Sequence, residues 1–144
     1  MYAATTEPGT SILRSPIKAV RHKGTAILVP DQYRSTYRIG THGGKRRYTA
    51  LVQRGGKVRV VRDNNRDSKP DYHNPEEEGW FGINIHKAGS RVDGSTQIDK
   101  WSAGCQVFKK VDDFNEFMTI CNKAREEWGN SFTYTLIKEE DLKL

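Results

Sequence analysis

The stretch Tyr48-Thr49-Ala50-Leu51-Val52-Gln53-Arg54-Gly55-Gly56-Lys57-Val58-Arg59-Val60-Val61-Arg62 decides the fold class. Two runs rich in β-branched and aliphatic residues flank a Gly-Gly pair. Glycine adopts positive φ at no steric cost, as both central positions of a type I′ turn require. The reading is therefore a β-hairpin, with 48–53 and 57–62 as its arms. Val58 and Val60 alternate with Lys57, Arg59 and Arg62, which predicts one solvated face.

Working outward, Gly24-Thr25-Ala26-Ile27-Leu28-Val29-Pro30 is a short apolar strand stopped by proline. Tyr33 to Ile39 is a second, with Tyr33, Tyr37 and Ile39 on one face. Trp80-Phe81-Gly82-Ile83-Asn84-Ile85-His86 alternates so that Ile83 and Ile85 face one way and Asn84 and His86 the other. Residues 87–100 form a long loop with Gly89 and Gly94, and long loops in compact domains are often functional. Helical spacing of Val111, Phe114, Phe117, Met118, Cys121, Ala124 and Trp128 predicts one helix over about 112–128. Asp113 with Glu116 forms a capping box, with Asp112 as the alternative cap, and Gly129 is the αL residue that ends it. Phe132, Tyr134 and Leu136 then alternate in a last strand. About six strands and one main helix near the C-terminus give an α+β, mostly β domain.

Residues 1–23 lack periodicity and contain Pro8, Gly9 and Pro16. They read as an N-terminal extended arm or loop, leaving 24–144 as the domain. A chain of 144 residues with 14 aromatics can bury one ordinary core. It contains no apolar run of about 18–20 residues, so no membrane span is expected. The N-terminus has neither a basic nor an apolar signal region, so no signal peptide is expected. Two cysteines cannot build a disulfide framework or a four-cysteine zinc site.

Charge is uneven. Residues 1–74 carry 15 Lys+Arg against 5 Asp+Glu, and residues 75–144 carry 9 against 13. A basic front half favours anionic partners: nucleic acid, wall polymers or an acidic protein surface. No RNP-like or zinc-finger pattern accompanies the Tyr and Arg residues of 33–62, and alternation in a half-exposed sheet accounts for them. A nucleic-acid module thus rests on charge alone.

The chemistry-bearing residues are His86 and Ser102-Ala103-Gly104-Cys105. A cysteine becomes a useful nucleophile when a neighbouring base favours its thiolate. His86, at a strand end among polar neighbours, suits a general base. Gly104 permits a tight turn and close approach of a carbonyl, and backbone N–H groups at that turn suit a developing oxyanion. Ser102 suits orientation of the imidazole or the substrate. His42, in Gly40-Thr41-His42-Gly43-Gly44, has two readings, a turn histidine or a second catalytic or substrate contact. His22 and His73 lie in polar loops. Cys121, on the helix's apolar face, reads as core.

Asp63, Asn65, Asp67 and Asp71 have the spacing of positions 1, 3, 5 and 9 of a calcium loop. Ser68 stands where such a loop has glycine and Asn74 where it has glutamate, so a side-chain-capped turn is the better reading and no metal or other cofactor is assigned.

His86, fifteen intervening residues, then Ser102-x-Gly104-Cys105 resembles the signature of the L,D-transpeptidase catalytic domain (YkuD type). Gly82-Ile83-Asn84-Ile85-His86 is similar to the strand that delivers that histidine. Asp99-Lys100-Trp101-Ser102-Ala103-Gly104-Cys105-Gln106-Val107-Phe108 resembles short phage-encoded, peptidoglycan-active, endolysin-like members. The resemblance implies a β-sandwich or mixed-sheet catalytic fold and a cysteine acyl-enzyme acting on peptidoglycan stem peptides. Cys105 would be the nucleophile and His86 the general base. Ala103 departs from the histidine of many members. Gln106-Val107 departs from a hydrophobic-Arg pair, which makes Gln106, with Asn84 and His42, the expected substrate contacts. The alternative is a structural virion component that keeps the fold with altered or lost activity and touches other virion proteins. Either product would reside in the virion or the host cytoplasm and reach the wall by release or particle delivery.

Overall fold

The computed structural model describes residues 1–6, 25–43, 45, 47–63, 73–88 and 104–142. The elements among them are β1 (Ala4–Thr5), β2 (Thr25–Leu28), β3 (Asp31–His42), β4 (Tyr48–Gln53), β5 (Val58–Asp63), β6 (Glu77–Gly79), β7 (Ile85–Lys87), β8 (Gln106–Phe108), α1 (Val111–Trp128) and β9 (Phe132–Leu136). The domain is mostly β, with two sheets and one main helix near the C-terminus. A six-stranded sheet has the order β1-β8-β7-β4-β3-β9, and a three-stranded sheet the order β2-β5-β6. β7 and β8 pair in parallel; the other pairs are antiparallel.

The expected hairpin at Gly55-Gly56 is not one. β4 pairs with β3 and β7, whereas β5 pairs with β2 and β6, so the two arms belong to different sheets. Neither glycine has positive φ. The Gly55 N–H donates to the Thr36 carbonyl at 2.8 Å. A Cβ at Gly55 would fall 2.1 Å from the Ser35 carbonyl oxygen. Close approach to β3, rather than turn geometry, requires glycine here. β3 is irregular at this point: its register with β9 shifts between Tyr33 and Tyr37, and Ser35 has φ 53°. The strand runs beyond the expected 33–39 at both ends.

Of the expected extended arm or loop over 1–23, residues 1–6 are described. Ala4 pairs with Phe108 and Thr5 with Val107, making β1 the edge strand beside β8, and the Tyr2 ring packs on Phe108. Within the expected 80–86 strand only Ile85–Lys87 is a ladder strand; Gly82, at φ 66°, breaks the run before it.

β4 is buried at four successive positions, Ala50 to Gln53, so both of its faces are covered. Lateral pairing aligns Ile39, Leu51, Ile85 and Gln106. The small sheet contributes Ala26, Leu28, Val58 and Val60 to the same cluster, and the helix contributes Phe114, Met118 and Cys121. Phe108 meets Phe114 and Phe117 at centroid distances of 5.7 and 4.9 Å. Such aromatic contacts add about 0.5–1.5 kcal/mol each to simple burial. Trp128, the last residue of α1, was expected on this face but is 80% exposed. The expected caps also differ. Lys110 is the N-cap, with no side-chain cap bond, and Asp112 and Asp113 lie in the first turn, where they favour the helix dipole. Gly129 has positive φ, but ψ 170° lies outside the αL region.

The large sheet curls strongly. The Tyr134 hydroxyl on β9 donates to Gln106 Oε1 on β8 at 2.8 Å, although three strands lie between them. Four interstrand spacings in a flat sheet would put these strands about 19 Å apart.

Candidate active site

The parallel β7–β8 pair brings the expected histidine and cysteine strands together. Ile85 aligns with Gln106 and His86 with Val107, so Cys105, just before β8, lies level with Asn84. The Asn84 backbone N–H points at Cys105 Sγ at 3.4 Å, and Sγ lies 3.5 Å from the Gly82 carbonyl. The sulfur thus accepts from one backbone group and, as a thiol, donates to another. Cys105 is only 2% exposed. The contacts with Gly82 and Asn84 draw the side chain against the backbone just before β7.

Gly104 makes this placement possible. Its φ is 124°, and an added Cβ would lie 2.1 Å from the Ala26 carbonyl oxygen. The turn that carries Cys105 is thus wedged against the small sheet. The neighbouring expected residue, Ser102, lies outside the described residues, as do Asn65, Asp67 and Asp71 of the oxygen-ligand spacing.

His86 is half-buried, and its Nδ1 lies 2.8 Å from the Lys87 carbonyl. A carbonyl can only accept, so Nδ1 carries the proton and the lone pair of the neutral ring sits on Nε2. The Tyr48 hydroxyl donates to the same carbonyl at 3.3 Å. This is the tautomer in which Nε2 can take a proton.

His42 is 7% exposed, and its ring stacks on that of His86 with centroids 4.1 Å apart and planes at 16°. Of the two sequence readings, a simple turn histidine does not describe it. Gly40 pairs with Ala50, and a Cβ at Gly40 would lie 2.8 Å from Val52 Cγ2. Tyr48 closes the other side of His42, edge to face at 5.4 Å. The Lys87 ammonium lies 4.7 Å from the centre of the Tyr48 ring.

Asn84 ties this group to the sheet. Its Oδ1 accepts the Gln53 backbone N–H at 3.0 Å, so its Nδ2 is the atom 3.0 Å from His42 Nδ1. Nδ2 donates, and His42 Nδ1 accepts. Gln53, 5% exposed, is anchored in turn. Its Nε2 donates to the Gly56 and Gly79 carbonyls, and its Oε1 accepts the Ile83 N–H at 3.0 Å.

The three expected substrate contacts lie as follows. Both polar atoms of the Asn84 amide serve inside the protein. Gln106 is 3% exposed; its amide accepts from Tyr134 and donates to the Gly104 carbonyl at 3.2 Å. Alternation turns it to the core side, in the row of Ile85. His42 meets His86 rather than open surface. The sequence reading missed Gln53 and Tyr48, whose parts depend on strand register. The one available signal was the alternation placing Asn84 beside His86.

Among the described residues no group of histidine, cysteine and carboxylate side chains is arranged to hold a metal, and no helix is long and apolar enough to cross a membrane. Comparison of the chain with family models, curated proteins and solved structures found no match.

Proposed function

We propose that this protein is a cysteine acyl-transfer enzyme acting on peptidoglycan stem peptides, L,D-transpeptidase-like and of phage type. The observation that carries the reading is the His86 tautomer. Nδ1–H is held by the Lys87 carbonyl, and the Nε2 lone pair belongs to a residue one strand from Cys105. In this reading the Cys105 thiol gives its proton to His86 Nε2 as sulfur bonds to the stem-peptide carbonyl carbon. The carbonyl π pair moves to oxygen, facing backbone N–H groups at the Gly104–Cys105 turn. Collapse breaks the C–N bond, and the departing amine takes the proton from His86. Water or a second amine then attacks the thioester and restores the thiol. Delivery from the virion or release from the host cytoplasm would bring such an enzyme to the wall.

A second reading, a structural virion component with the same fold, draws on the burial of Cys105 at 2% exposure and on the internal use of the Gln106 amide. Mass spectrometry of muropeptides after incubation separates the two. New cleaved or cross-linked species that disappear with Cys105→Ala support the enzyme. An unchanged muropeptide profile overturns it.

A further inference from the structure

We infer that His42 is a positioning residue for His86, a flat platform that keeps the imidazole in the orientation and tautomer its chemistry needs. The inference deepens the acyl-transfer reading and rests on His86 serving as the base for Cys105.

Two contacts orient the His86 imidazole. The Lys87 carbonyl lies 2.8 Å from Nδ1 and fixes one edge of the ring. The His42 face, 4.1 Å away at 16°, fixes the plane. Parallel aromatic contact is directional, and it also accommodates the positive ring formed after proton uptake, because a cation is attracted to an aromatic face.

His42 is itself held. Gln53 N–H fixes the Asn84 amide orientation, and that amide donates to His42 Nδ1. This bond exists only while Nδ1 carries no proton, so the neutral His42 ring bears its hydrogen on Nε2. Asn84 thereby holds the neutral His42 ring in place against His86. Tyr48 presses on His42 from the side at 5.4 Å and shares the Lys87 carbonyl with His86. The chain of contacts runs Gln53, Asn84, His42, His86, and it begins at a glutamine buried in the sheet.

The test compares His42→Phe with His42→Leu in the full chain. Both remove the acceptor for Asn84 and both fill the site with apolar bulk; only Phe retains a flat ring. Two quantities are read: the side-chain 15N shifts of His86, which report its tautomer, and the rate of Cys105 alkylation by iodoacetamide. His42→Phe is expected to keep the Nδ1–H signature. His42→Leu is expected to lose it to a tautomer mixture and to alkylate about three- to tenfold more slowly than His42→Phe, the range set by the strength of one aromatic contact. If the two variants share the wild-type 15N signature, or if both lose it equally, the platform role is overturned. His86→Ala is the separate control. If it leaves Cys105 alkylation unchanged, the acyl-transfer reading fails, while the 15N comparison still decides the part played by His42.

Discussion

The ring of His42, at the end of β3, lies parallel to that of His86 on β7 at 4.1 Å, with β4 running between the two strands. Asn84 completes the link by bonding His42 from the same face that carries His86.

The two thiols should differ in reactivity. Cys105 Sγ receives a backbone N–H and lies near a histidine strand, whereas burial pushes the Cys121 thiol up to about 11. Both side chains are buried, at 2% and 5% exposure, so labelling reports local opening. Near neutral pH iodoacetamide is expected to modify Cys105, beside a three-residue strand, before Cys121, within an 18-residue helix. His86→Ala should slow the Cys105 reaction. Peptide mapping of the alkylated protein checks both; equal labelling indifferent to His86 favours the non-enzymatic virion role.

Gly104→Ala should be strongly destabilising. The residue sits at φ 124°, and its new methyl would overlap the Ala26 carbonyl, a backbone atom that cannot swing aside. The expected loss is roughly 3 kcal/mol or more, combining backbone strain with a steric clash. A denaturant midpoint equal to wild type would contradict the wedge between the two sheets.

Two buried tyrosines should respond oppositely to loss of their hydroxyls. The Tyr33 hydroxyl donates to the Val29 carbonyl at 2.5 Å, so Tyr33→Phe is expected to cost about 1 kcal/mol or more. Tyr37 is fully buried, and its hydroxyl has no hydrogen-bond partner among the described residues. Tyr37→Phe removes an unsatisfied polar group and should be neutral or stabilising by up to about 1 kcal/mol. Paired urea titrations read the contrast.

Stability should fall in alkali. Burial raises Cys121 to about 11 from 9.0, and Tyr33 and Tyr134 to about 12 from 10.0. The unfolded chain therefore loses these protons first. The stabilisation is complete below pH 9 and is lost as pH rises through the folded values. Denaturant midpoints should decline above pH 9, and Cys121→Ala should remove the first part of that decline. A flat midpoint through this range would contradict the burial of these groups.

Helix truncations should follow the face seen in the structure. Phe114→Ala, at a site 2% exposed, is expected to cost about 3–5 kcal/mol. Trp128→Ala, at a site 80% exposed, should change stability by less than about 0.5 kcal/mol. Thermal melts of the two variants distinguish this face from the wider one that helical spacing alone suggests.

The sequence by itself determined what depends on neighbours a few residues apart. Alternation marked Phe132, Tyr134 and Leu136 as one side of a strand, and that side is the more buried one. The same period separated Ile83 and Ile85 from Asn84 and His86. The 3.6-residue repeat located α1 to within one residue and put Phe114, Met118 and Cys121 in the core. Pairing between strands lay beyond it. Gly55-Gly56 between two β-branched runs has the composition of a hairpin turn, yet the chain crosses from one sheet to the other there, because Gly55 must pass close to the Ser35 carbonyl at the irregularity in β3. The end of the helix was extended too far onto the core, since periodicity carries no record of where the core stops. Gln106 looked like an exposed amide beside a nucleophile; only the curl of the sheet, which brings Tyr134 across to it, makes it an internal bond. The joining of His42, Asn84 and Gln53 was likewise decided by the register of β3, β4 and β7. Local periodicity is written into each segment, whereas register is a property of pairs of segments, fixed when their apolar rows find a common core.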